Sequence, residues 1–535
     1  MTNSIALFNA RIYIDWQNKA VEALLIENGI IKAYGKNSQI KALCPSNIKQ
    51  LDLEGMTVWP GFCDAHLHLA QLAQQLAAIN CEGLSKSSIL EAVRQHAEQS
   101  VPGEWIIGFG FNQNDWTPPE YGTAKELDTV SPNNPVLIHA KSLHAAWMNT
   151  FAMRQADIHT NTSDPDGGAF LRNTDGSPNG ILLESAVLQV IKQIPQTSHS
   201  QLANDLLKTQ SYLHRFGVTA VHDFDDIDTA EVLLTLNAED KLRLRVMKNM
   251  RFTNFEQLKQ ENWREKLNAG PYLRAGWLKL FADGALGPQS AAMLEPYENS
   301  TNKGMLLMSQ EELADIARAT LEIGWSLSIH AIGDLAMRVS LDTIQGLNDY
   351  EPLINHPALL PHRIEHIQAL DPTDLPRFAQ LKVIASVQPV HATSDYLVAE
   401  RLWGPRCEQA YAYQSLNESG AELFAGTDAP VELANPFHTL YAAITRQTLS
   451  GDPKPNGWYP KQRLKMKDAL NAMTINPARY YGHMQQTGNL RPGSNADFIV
   501  LKQDPFELPL IEIAKLLPEM TFVAGECVFS KQTTL

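Results

Sequence analysis

Short apolar runs alternate with amphipathic segments of helical periodicity through the middle of the chain. The runs have the length of buried β-strands, and the segments between them carry apolar residues at helical spacing. Alternating strands and helices form a parallel sheet covered by helices, and about eight such units close into a (β/α)8 barrel. The clear strand candidates are Thr57–Phe62, Val218–His222, Trp277–Phe281, Trp325–His330, Arg363–His366, Val383–Gln388 and Ala421–Gly426.

An eighth strand and the intervening helices complete this pattern. Leu242–Lys248 is a weaker candidate for the missing strand, and Gln310–Glu322 and Leu335–Leu347 are helical segments between strands. We therefore predict an α/β protein built on a TIM barrel that spans about residues 58–487.

The two ends of the chain are rich in short strands and turns. Val21–Ile26 and Ile30–Ala33 flank a turn signal near the N-terminus, and Ala496–Leu501 and Met520–Gly525 have the same texture near the C-terminus. Each end alone has too little apolar surface to offset its ordering entropy. We therefore predict one small β-domain assembled from residues 1–57 and 488–535.

The interval from about residue 70 to residue 212 is too long for a single connection after the first barrel strand. It has its own predicted strands, Trp105–Gly108 and Val136–His139, and its own predicted helices, Ser87–Gln99 and Glu184–Gln193. We interpret it as an inserted substrate-binding subdomain over the barrel mouth.

Composition narrows the class of protein. The chain has 535 residues and a formal net charge of −15, which argues against a nucleic-acid partner because phosphates would be repelled. No run of about 20 apolar residues predicts a membrane span, and Met1–Asp15 lacks the features of a secretory signal. The five cysteines form no Cys-x-x-Cys pair, so a reducing cytoplasm fits best. The sequence does not decide whether the chain forms a homo-oligomer.

The sharpest chemical signal is the pair of histidines in Pro60–His68. On an extended strand, residues two apart point the same way, so His66 and His68 present both imidazoles to one side. Neutral imidazole is a common metal ligand, although two surface histidines would show the same spacing. At the carboxyl end of a first barrel strand, where barrel active sites lie, the pair predicts half of a metal site.

Other predicted strands carry polar residues at or near their ends. His330 and His366 end two of them, and Asp428 follows the last. Lys279 interrupts an apolar run, and a lysine in a buried strand is costly unless it is neutralised or paired. Each residue alone is more often structural, but their joint placement at the strand ends of one barrel predicts a catalytic centre.

With these motifs the sequence resembles the amidohydrolase superfamily, in particular its amidohydrolase-3 branch of YtcJ-like and N-substituted formamide deformylase-like proteins. The resemblance covers nearly the whole chain and implies a barrel with a composite β-sandwich. The motifs that carry it are Pro60–His68, Gly110–Asn112, Asp166–Gly168, Gly180–Glu184, Lys279–Gly287, His330–Asp334, Arg363–His366 and Gly426–Asp428.

The resemblance also implies a ligand set for one or two divalent metal ions, with zinc expected and Mn, Fe or Co as alternatives. His66 and His68 would hold one ion, and His330 and His366 the other. Lys279 would bridge them as a carbamate, a modification that turns a costly buried cation into an anion. The alternative is that its amine pairs with Asp283 or Glu184. Glu184 is also a rival anionic ligand or a substrate contact.

The resemblance places Asp428 as a metal ligand and as the group that accepts a proton from the attacking water. A bound zinc ion lowers the pKa of that water from about 16 to near 7. His144 and Arg363 are candidates to polarise the scissile carbonyl. Where the family pattern has Asp-Gly-His ending at His144, this chain has Lys141–His144, which weakens any transfer of substrate contacts from the insertion.

Further polar and aromatic residues are candidates to line the pocket, although aromatic residues are as often simple core. The candidates are Asn112, Trp116, Glu184, Asp283, Gln388, His391 and Trp403.

The leading hypothesis is hydrolysis of a C–N bond in a small-molecule amide, such as an N-acyl or N-formyl amine. A deaminase or cyclic-amide hydrolase is the second hypothesis, and an unmodified Lys279 with a single metal would favour it. A binding protein without turnover is the third, and it predicts a broken ligand set.

Overall fold

The computed structural model describes residues 4–141, 144–191, 194, 197–347, 350, 360–481 and 487–532. Its strands are β1 (Ile5–Phe8), β2 (Arg11–Ile12), β3 (Ala23–Glu27), β4 (Ile30–Gly35), β5 (Lys49–Asp52), β6 (Thr57–Pro60), β7 (Phe62–Leu67), β8 (Ile79–Asn80), β9 (Ile106–Phe111), β10 (Val136–Ala140), β11 (Ala145–Met148), β12 (Gly168–Arg172), β13 (Pro178–Glu184), β14 (Val218–Asp223), β15 (Arg245–Arg251), β16 (Leu273–Phe281), β17 (Leu327–Ala331), β18 (Arg363–His366), β19 (Ile384–Val387), β20 (Leu423–Ala425), β21 (Phe498–Leu501), β22 (Met520–Val523) and β23 (Glu526–Ser530).

The helices are α1 (Asn37–Leu43), α2 (Leu69–Ala77), α3 (Lys86–Gln99), α4 (Ala124–Val130), α5 (Thr150–Gln155), α6 (Ser185–Ile191), α7 (His199–Arg215), α8 (Ile227–Ala238), α9 (Phe255–Glu261), α10 (Trp263–Leu267), α11 (Gln310–Glu322), α12 (Asp334–Leu347), α13 (Arg377–Gln380), α14 (Pro389–Ser394), α15 (Tyr396–Trp403), α16 (Tyr413–Glu418), α17 (Pro436–Thr445), α18 (Met466–Met473), α19 (Ile475–Ala478) and α20 (Leu510–Ile513).

The largest sheet is the predicted barrel. Its eight strands are all parallel and lie side by side in chain order, from β7 through β14–β20. The first and last strands meet at their carboxyl ends, where His68 N donates to Ala429 O at 2.8 Å and Asp428 N donates to His66 O at 2.7 Å. The weaker candidate Leu242–Lys248 is confirmed as a barrel strand, β15, which begins three residues later than predicted.

The prediction that Thr57–Phe62 is the first barrel strand is wrong. Its first four residues form β6, which pairs with β21 in a different sheet, and the barrel begins only at Phe62. All six residues are buried, and all except Thr57 are apolar. Their periodicity therefore does not show which of the two sheets they belong to. At the junction a Cβ on Gly61 would lie 2.4 Å from the Thr219 side chain, so only glycine lets the backbone pass there.

Strands from both ends of the chain form the β-sandwich. One sheet has the order β4-β3-β1-β5, and the other has the order β2-β6-β21-β22-β23. Their shared core contains N-terminal residues such as Leu24 and Val58 together with C-terminal residues such as Phe498 and Phe522. Each end therefore buries its apolar surface against the other.

A buried ion pair joins the barrel to the sandwich. Arg245 of β15 donates from Nε and Nη2 to the two carboxylate oxygens of Asp497, at 2.6 and 3.0 Å. Both side chains are almost fully buried. Arg245 also donates to Pro271 O at 2.8 Å, so most of its charge is matched by protein acceptors.

Residues 73–201 form a second compact unit within the predicted insertion of about 70–212. Its six-stranded sheet has the order β12-β13-β11-β10-β9-β8, and α3–α6 belong to the same unit. The helix predicted over Glu184–Gln193 is observed as Ser185–Ile191, and Gln193 lies outside the described residues. Within the described part of the chain, no helix combines the length and apolarity needed to cross a bilayer.

Candidate metal centre

The carboxyl end of the barrel brings together four of the predicted ligands. The Nε2 atoms of His66 and His68 lie 3.5 and 3.4 Å from the same oxygen of Asp428, Oδ1. The His366 ring centre lies 5.1 Å from that of His66. Ligand atoms of His66, His366 and Asp428 all lie within 4.8 Å of one another, which is a separation that one metal ion can span.

His330 completes the cluster from the neighbouring strand β17. Its ring centre lies 4.5 Å from that of His366. Because β17 and β18 are adjacent parallel strands, histidines at their carboxyl ends meet at one rim. All four predicted histidines and Asp428 therefore gather in one place, although they come from positions up to 362 residues apart in the chain.

Hydrogen bonds hold His66 and His366, two of the candidate ligands, by the ring nitrogen that faces away from this centre. The Nδ1 atom of His66 lies 2.7 Å from Glu365 Oε2, and that of His366 lies 2.9 Å from Gln388 Oε1. These acceptors require a proton on Nδ1 and leave the Nε2 lone pair free. His330 is held in the opposite way, through Nε2 and Gly284 O at 3.0 Å.

His68 lies beside a second carboxylate. Its Nδ1 atom lies 3.3 Å from Asp225 Oδ1, while the other oxygen of Asp225 accepts from Ala70 N at 2.5 Å. Burial lowers the pKa of His68, but the charges of Asp225 and Asp428 outweigh it and raise this pKa to about 9. The surroundings of His68 therefore favour positive charge, whether it is a proton or a metal ion.

Buried groups next to Asp225 keep this arrangement rigid. The Lys248 ammonium lies 2.8 Å from Asp223 Oδ2, and both side chains are fully buried. The other oxygen of Asp223 accepts from Leu69 N at 2.8 Å. The start of α2, directly after His68, is thus fixed to the neighbouring barrel strand.

Glu365 lies beneath His66 in a fully buried network. Arg363 contacts it twice, from Nε to Oε1 at 2.5 Å and from Nη2 to Oε2 at 3.0 Å, and Ser328 Oγ donates to Oε1 at 2.6 Å. Burial raises the pKa of Glu365, but the charges of Arg363 and His66 outweigh it and hold this pKa well below its ordinary value. Glu365 is therefore an anion that orients His66.

The predicted role of Arg363 at the substrate carbonyl finds no support in its contacts. Its side chain is fully buried, and it also donates to Ala65 O at 2.9 Å and to Ser386 Oγ at 2.7 Å. These contacts, together with Glu365, engage the guanidinium inside the barrel. The geometry favours a positioning role.

The electrostatics of the centre suit a metal ion. Burial and the Lys279 ammonium lower the pKa of His66 to about 4 and that of His330 to about 3, so both imidazoles are neutral at pH 7. Burial favours the neutral form of Asp428, but His66 and His68 outweigh it and lower its pKa well below the ordinary value. Neutral imidazoles and an ionised carboxylate are the donor forms that divalent transition metals bind.

Lys279 enters the centre from β16. Its Nζ atom lies 4.8 Å from the Phe224 ring centre and 5.2 Å from that of Phe281, and it forms no ion pair with any residue that the structure describes. Burial lowers the pKa of its amine to about 8. Asp283, the expected partner, instead accepts backbone N–H groups of Ile332 and Gly333.

Other predicted pocket residues lie near the same rim or in the barrel core. Gln388 and His391 follow β19, and His391 Nε2 lies 4.0 Å from Asp428 Oδ2. Trp403 is buried in the main core. Asp283, which follows β16, accepts hydrogen bonds from the backbone of the loop that follows β17.

The remaining candidates belong to the second unit. His144 Nδ1 lies 2.8 Å from Glu184 Oε2, and both side chains are exposed. Asn112 caps a short helical turn by accepting from Asn114 N, and Trp116 is buried. Ser142 and Leu143, which precede His144, lie outside the described residues. The roles assigned to these side chains stay predictions.

Comparison with known proteins decides the family. A model described as "Amidohydrolase family" matches residues 49–529, which is most of the chain. The chain belongs to the amidohydrolase family. It is 31% identical to YtcJ of Bacillus subtilis (strain 168), which is named as an amidohydrolase, over 95% of this chain and 96% of that protein.

Two further matches link this amidohydrolase-family chain to hydrolases. The chain is 26% identical to the N-substituted formamide deformylase of Arthrobacter pascens, with 97% of each chain covered. The crystal structure of an uncharacterised metal-dependent hydrolase from Pyrococcus furiosus superposes with a TM-score of 0.75 at 26% identity, over 94% of this chain and all of that one. The protein is a metal-dependent hydrolase of the amidohydrolase family.

Glu365 and Asp225, which lie against the candidate ligands His66 and His68, were not predicted from the sequence, whereas Gln388 was named only as a pocket residue. Glu365 lies in the Arg363–His366 motif. An arginine and a glutamate two residues apart in a buried strand indicate an ion pair, and this signal could have identified Glu365. Asp225, which lies beside His68, stands two residues beyond the end of β14 and carries no comparable signal. Aspartates at such positions are often helix caps.

Proposed function

We propose that this protein hydrolyses the C–N bond of a small non-peptide amide, such as an N-formyl or N-acyl amine. The observation that carries the proposal is the convergence of His66, His366 and Asp428 within 4.8 Å at the carboxyl end of the barrel. The N-substituted formamide deformylase, similar over 97% of this chain, supports the choice of bond by its name. We also propose that the protein acts in the cytoplasm, on a small-molecule substrate, without a nucleic-acid or membrane partner.

The donor set fits one or two divalent ions, and zinc is the ion we propose. His66 and His68 would hold one ion, with Asp428 beside them, and His330 and His366 would hold the other. Lys279 would join them as a carbamate, since burial lowers the pKa of its amine and its ammonium forms no ion pair with the described residues. A bound divalent cation lowers the pKa of water and polarises a carbonyl oxygen.

Asp428 would move the proton during hydrolysis. Its Oδ1 faces His66 and His68, so a water held at the histidines lies within reach of this carboxylate. Asp428 accepts the proton that the water loses as its oxygen attacks the amide carbon. It then delivers this proton to the nitrogen, so that the C–N bond breaks and a neutral amine leaves with the carboxylic acid as the second product.

The test pairs elemental analysis of the purified full chain with a hydrolysis screen over N-formyl and N-acyl amines. We expect one or two equivalents of a divalent metal, and release of amine that stops when the metal is chelated and returns when it is restored. A protein with full metal content that cleaves none of these amides would refute the C–N bond as the target while leaving the fold intact. A protein that cleaves amides at the same rate after complete metal removal would refute the metal centre.

A further inference from the structure

Gln388 and His391 stand together where β19 ends and α14 begins, at the same rim as the histidine cluster. Both residues are buried, at 1% and 7% exposure. The junction is tightly held, because Gln388 O accepts from His391 N at 3.1 Å and from Tyr413 Oη at 3.0 Å. These two side chains are therefore fixed beside the centre and are not mobile surface groups.

Neither ring nitrogen of His391 has a hydrogen-bond partner among the residues that the structure describes. A buried polar group without a partner costs about 1–3 kcal/mol, so such groups usually await a ligand or water. His391 is well placed for a ligand. Its Nε2 atom lies 4.0 Å from Asp428 Oδ2, and its ring is nearly parallel to that of His366, at 14° and 6.3 Å between ring centres.

Gln388 repeats this pattern independently. Its Oε1 atom accepts from His366 Nδ1 at 2.9 Å, which fixes the orientation of the amide. Its Nε2 group is then left buried and without a partner in the described part of the chain. Gln388 therefore lies on the side of His366 that faces away from the centre, whereas His391 lies 4.0 Å from Asp428.

We propose that His391 donates a hydrogen bond to the carbonyl oxygen of the substrate amide. This inference rests on the proposed function. As water attacks the carbon, the carbonyl π electron pair moves onto this oxygen, and donors that face it stabilise the developing negative charge. When the C–N bond breaks, the pair returns to the carbon–oxygen bond. His391 keeps its proton throughout, and Asp428 carries the transferred proton.

This assignment replaces the two carbonyl donors expected from the sequence. Arg363 is enclosed in the barrel by Glu365, Ser386 and Ala65. His144 is an exposed residue of the second unit and is already paired with Glu184. His391 is instead buried, unsatisfied among the described residues, and within 4.0 Å of Asp428, the proposed proton carrier.

The test compares the wild type with His391→Ala, His391→Asn and Ser394→Ala, all loaded with the same metal. His391→Asn keeps a side-chain N–H donor. Ser394→Ala is a control on the same helix, where the Ser394 hydroxyl donates to the Glu432 carboxylate. On the amide that the wild type cleaves best, we expect His391→Ala to lose about 10²–10³-fold in kcat with little change in KM. The asparagine variant should recover part of this loss, and the control should match the wild type.

Two measurements without turnover complete the test. Elemental analysis should show the same metal content in all four proteins, since His391 is proposed to touch substrate and not metal. Calorimetric titration with methylphosphonate, a tetrahedral analogue of the attacked carbonyl, should show about tenfold weaker binding by His391→Ala, equivalent to one lost hydrogen bond to a charged group.

The outcomes separate this inference from the function on which it rests. If the wild type cleaves the amide and His391→Ala has the same kcat, the inference about His391 is wrong and the proposed function stands. The same conclusion follows if His391→Ala loses its metal, because His391 would then be a ligand. A metal-loaded wild type that neither cleaves any amide nor binds methylphosphonate overturns the proposed function and this inference with it.

Discussion

Glu365 Oε2 lies 2.7 Å from Nδ1 of His66, and neither side chain has appreciable contact with solvent. The carboxylate accepts a hydrogen bond from the Nδ1–H group, so the lone pair on Nε2 points toward Asp428. This contact joins residues that are 299 positions apart in the chain. If the proposed metal site is correct, its metal affinity depends on Glu365, a residue that is not itself a proposed ligand.

The variant Glu365→Gln should therefore bind divalent metal about 10–100-fold more weakly, because loss of the charge frees His66 to reorient. Competition with a chromophoric chelator measures this affinity on protein that circular dichroism shows to be folded. Glu422→Gln is the matched control, since Glu422 accepts from Tyr480 Oη and lies outside the centre. Equal metal affinity in wild type and Glu365→Gln would contradict the orienting role.

Asp428→Asn and His66→Ala should separate rate from metal content. The asparagine keeps a donor oxygen but cannot accept the proton, so amide hydrolysis should fall about 10²–10⁴-fold while most of the metal stays bound. His66→Ala removes a ligand and should lose both metal and activity. Elemental analysis and initial rates on the same preparations check this, and full activity in Asp428→Asn would rule out its role as base.

Closure of the barrel depends on a glycine between its first and last strands. A Cβ at Gly426 would lie 2.4 Å from His66 N and 2.8 Å from Asp64 Oδ1. We expect Gly426→Ala to lower the free energy of unfolding by about 1–3 kcal/mol through overpacking, and to weaken metal binding because His66 must shift.

Gly346→Ala is the control for this substitution. Gly346 lies in α12, and a Cβ there would meet nothing within 4 Å. Alanine should increase stability by about 0.5–1 kcal/mol because it restricts the unfolded chain. Urea unfolding of both variants gives the comparison. If Gly426→Ala is as stable as Gly346→Ala, the strands move apart without cost and the close packing at Gly426 is not required.

The buried pair of Arg245 and Asp497 should stabilise the contact between barrel and sandwich. Removing one partner, in Asp497→Ala or Arg245→Met, leaves a buried charge unmatched and should cost about 3–5 kcal/mol. The double variant should cost less than the sum of the two. As a control, Asp315→Ala breaks an exposed pair with Arg318 and should change stability by no more than about 0.5 kcal/mol. Additive effects at Arg245 and Asp497 would refute the coupling.

His214 should make the fold sensitive to acid. Burial in α7 lowers its pKa from 6.5 to about 4. Between these two pH values His214 is protonated in the unfolded chain and neutral in the folded one. Its stabilising contribution is complete above about pH 6.5 and is lost as the pH falls toward 4, by about 3 kcal/mol in all at 1.36 kcal/mol per pKa unit. Urea unfolding of metal-free wild type and His214→Gln at pH 7.5 and 5 should show a smaller decline in the variant. An equal decline would exclude His214 as the source.

Local pattern alone predicted most barrel elements and the residue types at the rim. Arg363–His366 and Gln310–Glu322 form the predicted strand and helix, because burial on a parallel sheet and amphipathic helical spacing both leave a short-range signature. The histidines and Asp428 were recognisable for the same reason, since each stands at or just beyond the end of a predicted strand.

Only the tertiary structure decided which partners those elements meet. The run Thr57–Phe62 is apolar throughout after its first residue, and pairing with β21, far along the chain, is what assigns its first part to the sandwich. In the same way, the contact of Glu365 with His66 and the unsatisfied nitrogens of His391 arise when strands distant in sequence close into one barrel. Periodicity records whether a side chain is buried, whereas hydrogen-bond partners depend on distances that exist only after folding.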